Sequence, residues 1–344
     1  MSQSPQRATT GIASLVVMVL LMLCASSPAR SEQKPAGCVD TTPHKQQFIP
    51  VAPGVNLEVL DWGGSGEAMV LLTGVGDNAH VFDQFAFQFT DSFHVIGITR
   101  RGFLPSSQPK DGYDIATRVA DDIAVLDALG IDKAILVGHS VAGSELSAIG
   151  AQHKDRVDKL VYLEAYDLTG RFDLPGPPGP GSLYTSADTK SLWSWQAAAA
   201  RYEALRRPDP ATCLALVFDN DGAITGSTTP DWVPAAIIAD VNANPPVNWA
   251  SIPAPRLGIF SQPSAHTYGY SPWYWYLSSQ EQQIFDEQWP PIVDWFTRTI
   301  RKFASGNPVH PVILHDVPHY VYVTNETDVV RAMREFLGLP VGSR

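Results

Sequence analysis

One serine in this chain sits where its hydroxyl could be turned into a nucleophile. The run Ala134-Ile-Leu-Val-Gly-His-Ser-Val-Ala-Gly143 is apolar at first and then breaks into small residues, with Ser140 at the tip of the break. A serine hydroxyl is a weak nucleophile at neutral pH. To attack a carbonyl it must be lifted clear of the backbone, given a base, and placed beside donors that stabilise the oxyanion. Gly138 and Ala142, two residues to either side of Ser140, leave room for the strained strand-to-helix turn that does the lifting. The pattern is G-x-S-x-A, one residue away from the stricter G-x-S-x-G.

The elements around this turn read as a layered α/β chain. Apolar strands are expected at Val55 to Leu60 and Met69 to Leu72, separated by Gly63-Gly-Ser-Gly66, and at Phe93 to Ile98. Helices are expected near Ala79 to Phe89 and near Ile115 to Leu129, where Val119, Ile123, Leu126 and Leu129 recur at helical spacing. Ala134 to Val137 is then the strand before Ser140, Gly143 to Gln152 the helix after it, and Leu160 to Leu163 the next strand. Such alternation indicates a mostly parallel sheet with helices on both faces. The rhythm breaks over residues 165–253, which begin with the proline- and glycine-rich Leu174 to Gly181 and carry Trp193, Trp195 and Trp232; this segment reads as an inserted cap. Strands at Arg256 to Phe260 and Val312 to Leu314, with helices near Glu281 to Phe303 and Glu326 to Leu337, resume the pattern. The expected organisation is an arm at residues 30–50, a core in two parts at 51–164 and 254–344, and the cap between them.

Residues 1–29 have the layout of a secretory signal peptide: Arg7, an apolar run from Ile12 to Cys24, and small residues around Ser27-Pro-Ala29. The alternative is a membrane anchor, but about thirteen apolar residues are short for a bilayer that needs about twenty. A secreted or periplasmic protein without a stable membrane span in its mature form is therefore expected. Cys38 and Cys213 would be its only cysteines, able to form one disulfide. Lys and Arg number 24 against 35 Asp and Glu, a net charge of −11, and no basic run is present, so nucleic acid is not an expected partner.

These features together resemble the α/β-hydrolase fold superfamily, in the serine-nucleophile branch that includes carboxylesterases and lactonases, over roughly residues 50 to 338. The resemblance implies a triad in the chain order nucleophile, acid, base. It places the base at His319, between the last strand and the last helix; His315, four residues earlier, and His139, beside the serine, are then structural. The commonest acid position in the superfamily follows the strand Arg256 to Phe260, where Ser261-Gln-Pro-Ser-Ala-His266 holds no carboxylate. A second position, used by members such as the haloalkane dehalogenases, falls in Val161-Tyr-Leu-Glu-Ala-Tyr-Asp167. Glu164, 24 residues after Ser140, is the implied acid, and Asp167 the runner-up. The implied oxyanion donors are the backbone N–H groups of Val141 and of Val75, in the loop Leu72-Thr-Gly-Val-Gly76; Thr73 stands where the superfamily usually has histidine, which calls the bracing of that loop into question. The turn Arg100-Arg-Gly-Phe103 also fits a superfamily turn and reads as architectural.

The resemblance thus implies an ester or lactone hydrolase working through an acyl-enzyme, without metal or organic cofactor. Its substrate would be a small ester-type molecule, apolar or aromatic if the residues Tyr268 to Tyr276 and the cap tryptophans line a pocket. Other readings of the same pattern are a serine amidase, aminopeptidase or C–C hydrolase, and a ligand-binding receptor without catalysis. Oligomeric state is open.

Overall fold

In a computed structural model that describes residues 40–168, 210–218, 224–262, 279–305 and 309–341, the polypeptide is organised around an eight-stranded sheet. The strands are β1 (Lys45–Ala52), β2 (Val55–Gly63), β3 (Ala68–Leu72), β4 (His94–Ile98), β5 (Ala134–His139), β6 (Val157–Leu163), β9 (Arg256–Gln262) and β10 (Val309–His315). Their order across the sheet is β1-β2-β4-β3-β5-β6-β9-β10. The β1–β2 and β2–β4 pairs are antiparallel, and every later pair is parallel. β5 thus lies inside the parallel region, flanked by β3 and β6, and its C-terminal end delivers Ser140.

The central strands are buried on both faces, which is why their sequences are continuous apolar runs. Side chains alternate between two cores. Val70, Leu72, Leu136, Leu160 and Tyr162 face one, with Val119 and Leu126 of α1 (Ile115–Ala128), Leu146 and Ile149 of α2 (Ala142–Gln152), and Trp295 and Ile300 of α6 (Pro290–Phe303). Met69, Leu71, Ile135, Val137, Val161 and Leu163 face the other, against Phe82, Phe85, Phe89, Tyr322 and, from α8 (Glu326–Leu337), Val329 and Met333. Each such burial is worth about 1.5–3 kcal/mol, so the two faces lock the strand ends at a common level. α1 begins at Asp114, whose carboxylate accepts from the Thr117 N–H at 2.9 Å, a side-chain cap for a donor the helix leaves unpaired.

Some elements differ from the sequence expectation. Residues 79–89 form two short 3-10 turns, Ala79–Phe82 and Ala86–Gln88, in place of one helix. The stretch from Glu281 to Phe303 divides into α5 (Ser279–Gln288) and α6, because Pro290 and Pro291 lack the N–H groups that a continuous helix would use there. β1 begins at Lys45, so the expected boundary between arm and core at residue 50 runs through a strand.

Of the segment expected to be a cap, the described part contains α3 (Pro210–Ala215), the hairpin β7 (Leu216–Phe218) and β8 (Ile224–Ser227), and α4 (Trp232–Ala243). Val233, Ile237 and Val241 of α4 share one buried cluster with Phe103, Tyr113 and Val141, the residue next to Ser140. Cys213 is disulfide-bonded. The expected signal peptide, Cys24 and Cys38, Trp193, Trp195 and the aromatic run from Tyr268 to Tyr276 lie outside the described residues. No helix among the described residues is long and apolar enough to cross a membrane. A short helix α7 (Val321–Thr324) follows the loop after β10.

Candidate active site

Ser140 has φ +56°, a left-handed conformation that costs a non-glycine residue roughly 1–2 kcal/mol. The turn is held by the Ser140 N–H donating to the Leu163 carbonyl at 3.1 Å and the Gly143 N–H donating to the Ser140 carbonyl at 3.0 Å. Its small residues are needed by contact. A Cβ on Gly138 would lie 2.6 Å from the Leu146 side chain, and one on Gly143 would lie 2.9 Å from the Ala165 Cβ. Bulk at either place would push α2 away from the strand and lower the serine from its perch.

The next strand over, β6, ends in Glu164, also left-handed at φ +50°. Its N–H donates to the Ile259 carbonyl at 2.8 Å, and its side chain is buried. One carboxylate oxygen, Oε1, accepts from the Ser261 N–H and from the Tyr166 hydroxyl, the latter at 2.7 Å. The other, Oε2, stands 3.2 Å from Nδ1 of His319. Tyr166 is itself wedged among Phe260, Trp295 and Phe296, with ring centroids 4.9, 5.6 and 5.0 Å away. The Tyr166 hydroxyl also reaches the Ser261 carbonyl at 2.5 Å, so its one proton is shared; the Ser261 N–H fixes Oε1, and the second oxygen is aimed at the imidazole.

His319 lies between β10 and α7, about one third exposed at its side chain. Its backbone carbonyl is 3.2 Å from Nε2 of His139, and the two rings are 4.6 Å apart. A carbonyl can only accept, so His139 donates from Nε2 and ties the histidine loop to the residue that precedes Ser140. His139 is fully buried, in ring contact with Tyr320 and Tyr322. His315 is exposed at the end of β10. Asp167 accepts from the Val247 N–H at 3.1 Å, on the side of the inserted segment. Of the two carboxylates considered, Glu164 is the one seated against His319.

The loop expected to supply an oxyanion donor packs directly against the elbow. A Cβ on Gly74 would meet Nδ1 of His139 at 2.9 Å and Cβ of Ser140 at 3.3 Å, so only glycine permits this approach. Val75 is partly buried and Val141 fully so. The bracing that histidine would give at position 73 comes here from Arg100. Its Nη2 donates to the Thr73 carbonyl at 2.9 Å and its Nη1 to the Gly74 carbonyl at 3.3 Å, while Nε and Nη2 grip Glu145 of α2 at 2.6 and 2.7 Å. Arg118 adds a third contact to Glu145, at 3.1 Å. Burial works against the charge of Arg100, yet the adjoining Glu145 carboxylate more than offsets it and holds the guanidinium above its ordinary pKa. One buried ion pair therefore connects the glycine loop to the helix that follows Ser140. A second tie is Asp77, whose carboxylate accepts the Tyr320 hydroxyl at 3.0 Å, linking the glycine loop to the residue after His319.

Arg100 lies in the turn expected to be architectural, whereas Glu145, Asp77 and Tyr166 are site residues that the sequence alone does not single out. Of these three only Glu145 carries a signal: a charged residue among small and apolar ones, on the helix face that turns inward.

Comparison with known proteins agrees with this architecture. A family model described as alpha/beta hydrolase fold matches residues 67–211. The 2-(acetamidomethylene)succinate hydrolase of Mesorhizobium japonicum is 34% identical over 102 residues, 29% of this chain and 36% of that protein. The bifunctional esterase/perhydrolase of Acinetobacter calcoaceticus is 31% identical over 121 residues, 34% of this chain and 44% of that protein. The chain thus spans less than half the length of these curated relatives. The crystal structure of the enol-lactonase from Burkholderia xenovorans LB400 superposes with a TM-score of 0.56 at 17% identity, covering 85% of this chain and all of that one, which speaks to the fold. The family model over residues 67–211, the sheet order and these neighbours agree that the chain has the α/β-hydrolase fold.

Proposed function

We propose that this protein is a serine hydrolase that cleaves a carboxylic ester or lactone through an acyl-enzyme intermediate. The observation that carries the reading is the Glu164–His319 contact beside a serine held in a left-handed elbow. In the proposed cycle His319 takes the Ser140 proton as the hydroxyl attacks the carbonyl carbon. Glu164 accepts from Nδ1 and keeps the other ring nitrogen available for that proton. The N–H groups of Val75 and Val141 receive the negative charge of the tetrahedral intermediate. His319 then protonates the departing alcohol, and water releases the acyl group by the same steps in reverse. The names of the esterase/perhydrolase relative and of the enol-lactonase neighbour favour this substrate class. On the same reading, residues 165–253 are an inserted cap, and residues 1–29 direct secretion.

The test is a serine-reactive fluorophosphonate. Wild type should be labelled on Ser140 and should hydrolyse p-nitrophenyl butyrate, whereas Ser140→Ala should do neither and still fold. Labelling at another residue, or an unlabelled wild type, would overturn the assignment. A panel of esters, lactones and amides then ranks the substrate class. Mass measurement of protein secreted by a bacterial host, expected to begin after Ala29, tests the signal peptide.

A further inference from the structure

A second cluster of chemistry-bearing side chains lies away from the serine, between the N-terminal arm and the turn beyond the glycine loop. Asp40 and His44 come from the arm before β1, and His80 from the turn Ala79–Phe82. Each offers a ligand atom, and these atoms all lie within 4.8 Å of one another. Two ring nitrogens face the same carboxylate oxygen: His44 Nε2 is 3.1 Å and His80 Nδ1 is 3.6 Å from Asp40 Oδ2.

The opposite nitrogens of both rings have carboxylates near them. His80 Nε2 is 3.5 Å from Glu58 Oε1, and His44 Nδ1 is 3.9 Å from Asp83 Oδ1. Glu58 is itself held by Thr99 and Gln46, and Asp83 by the Trp62 indole N–H. Histidines that bind a metal typically carry such a carboxylate behind them, where it fixes the tautomer and strengthens the ligand. Asp83 Oδ2, 3.1 Å from His80 Nδ1, is near enough to act as a further donor.

The cluster also contains an orphan. His44 has a side chain only 7% exposed, and its Nδ1 is buried with no hydrogen-bond partner. A metal on Nε2 would place the ring proton on Nδ1, where it faces the Asp83 carboxylate oxygen at 3.9 Å. Asp40, 31% exposed, leaves a path from solvent.

We propose that Asp40, His44 and His80 form a structural divalent-metal site, best matched to Zn²⁺, that fastens the N-terminal arm to the turn after the glycine loop. Two imidazoles and a carboxylate suit zinc; calcium and magnesium prefer all-oxygen sets. Binding would use the lone pairs of His44 Nε2 and His80 Nδ1 and one oxygen of Asp40, with any proton on those nitrogens released to solvent. The site is separate from the ester chemistry and stands whether or not that reading does.

The test uses the full chain produced in zinc-supplemented medium and dialysed against metal-free buffer. Elemental analysis should find about one zinc per chain. After chelation, Co²⁺ should restore a visible d–d spectrum, and the melting temperature should fall with chelator and recover with zinc. The double variant Asp40→Ala/His44→Ala, which spares the more deeply buried His80, should hold no zinc and melt at a temperature indifferent to chelator. Glu58→Gln should weaken metal affinity by about 10- to 100-fold. If a proton on His80 balances the carboxylates instead, wild type will lack zinc, give no cobalt spectrum and ignore chelator, and the proposal fails. Equal binding by wild type and the double variant would overturn it as well.

Discussion

Glu164→Gln is the substitution that most sharply tests how the proposed site handles its proton. The side chain keeps its shape, and the surroundings decide which way the amide turns. The Oε1 position receives the Ser261 N–H, which can only donate, so the amide oxygen must occupy it. The NH2 group is then left facing His319 Nδ1 across the 3.2 Å contact. That group can only donate, so Nδ1 must become the acceptor and the proton moves to the other ring nitrogen. His319 then presents an N–H to Ser140 where it should present a lone pair. Such a tautomer reversal costs a serine protease triad about 10⁴ in kcat, equivalent to about 5 kcal/mol of transition-state stabilisation. We therefore expect kcat for p-nitrophenyl butyrate to drop by about 10⁴-fold in Glu164→Gln, with KM and the circular dichroism spectrum little changed. Asp167→Asn, at a carboxylate that accepts from the Val247 N–H, should stay within about threefold of wild type. Activity of Glu164→Gln within about tenfold of wild type, or a larger loss in Asp167→Asn, would refute the reasoning.

Three further outcomes are expected from the same geometry. Arg100→Lys keeps the charge but cannot grip Glu145 with two nitrogens while also holding the Thr73 and Gly74 carbonyls; kcat should fall by about 100-fold with KM nearly constant, and an unchanged kcat would mean the loop needs no such brace. Ser140→Gly removes the left-handed strain, so the variant should be inactive yet more stable than Ser140→Ala by about 1 kcal/mol in urea titration; equal stability would argue against strain at the elbow. Burial, and then the Glu145 carboxylate, push the Asp122 carboxyl well above its usual range, and its Oδ2 lacks a hydrogen-bond partner. The folded chain therefore keeps a proton that the unfolded chain releases, so stability drains away as pH rises from about 4 through the raised value. Asp122→Asn escapes this loss: its melting-temperature advantage over wild type should grow between about pH 4 and pH 8, and an advantage that shrinks over that range would count against the assignment.

Much of the framework is legible in the sequence because the central strands are buried on both faces and must be continuous apolar runs; β3, β5 and β6 fall where those runs are. β1 escapes such reading because Lys45-Gln-Gln-Phe-Ile-Pro-Val-Ala52 is an edge strand whose inward face, Gln47, Ile49 and Val51, is short and begins with a polar residue, while Phe48 points outward. The turns at residues 79–89 imitate a helix because Phe82, Phe85 and Phe89 recur at intervals of three and four. Side-chain anchors break that stretch: Asn78 donates to the Ala211 carbonyl and Asp83 accepts from Trp62, 21 residues earlier. In the candidate site, residue types and spacing point to Ser140, and resemblance to a family points to His319 and Glu164. The supports cannot be read, since the Ser261 N–H and the Thr73 and Gly74 carbonyls are main-chain groups that every residue carries. The Asp40, His44 and His80 cluster is equally hidden, because 36 residues separate the two histidines and only folding joins them.

The carboxylate at the end of β6 also changes what selection can do to its neighbour. Where the chain leaves β9, Ser261 contributes only its backbone, and no acid occurs in the sequence from Gln262 to Gln280. On the proposed reading no side chain in that span supplies the triad's acid, so exchanges there that leave the peptide at 261 in place should not alter proton transfer. Diversification of substrate preference among relatives sharing this arrangement should accordingly concentrate there, in a stretch already rich in tyrosine and tryptophan.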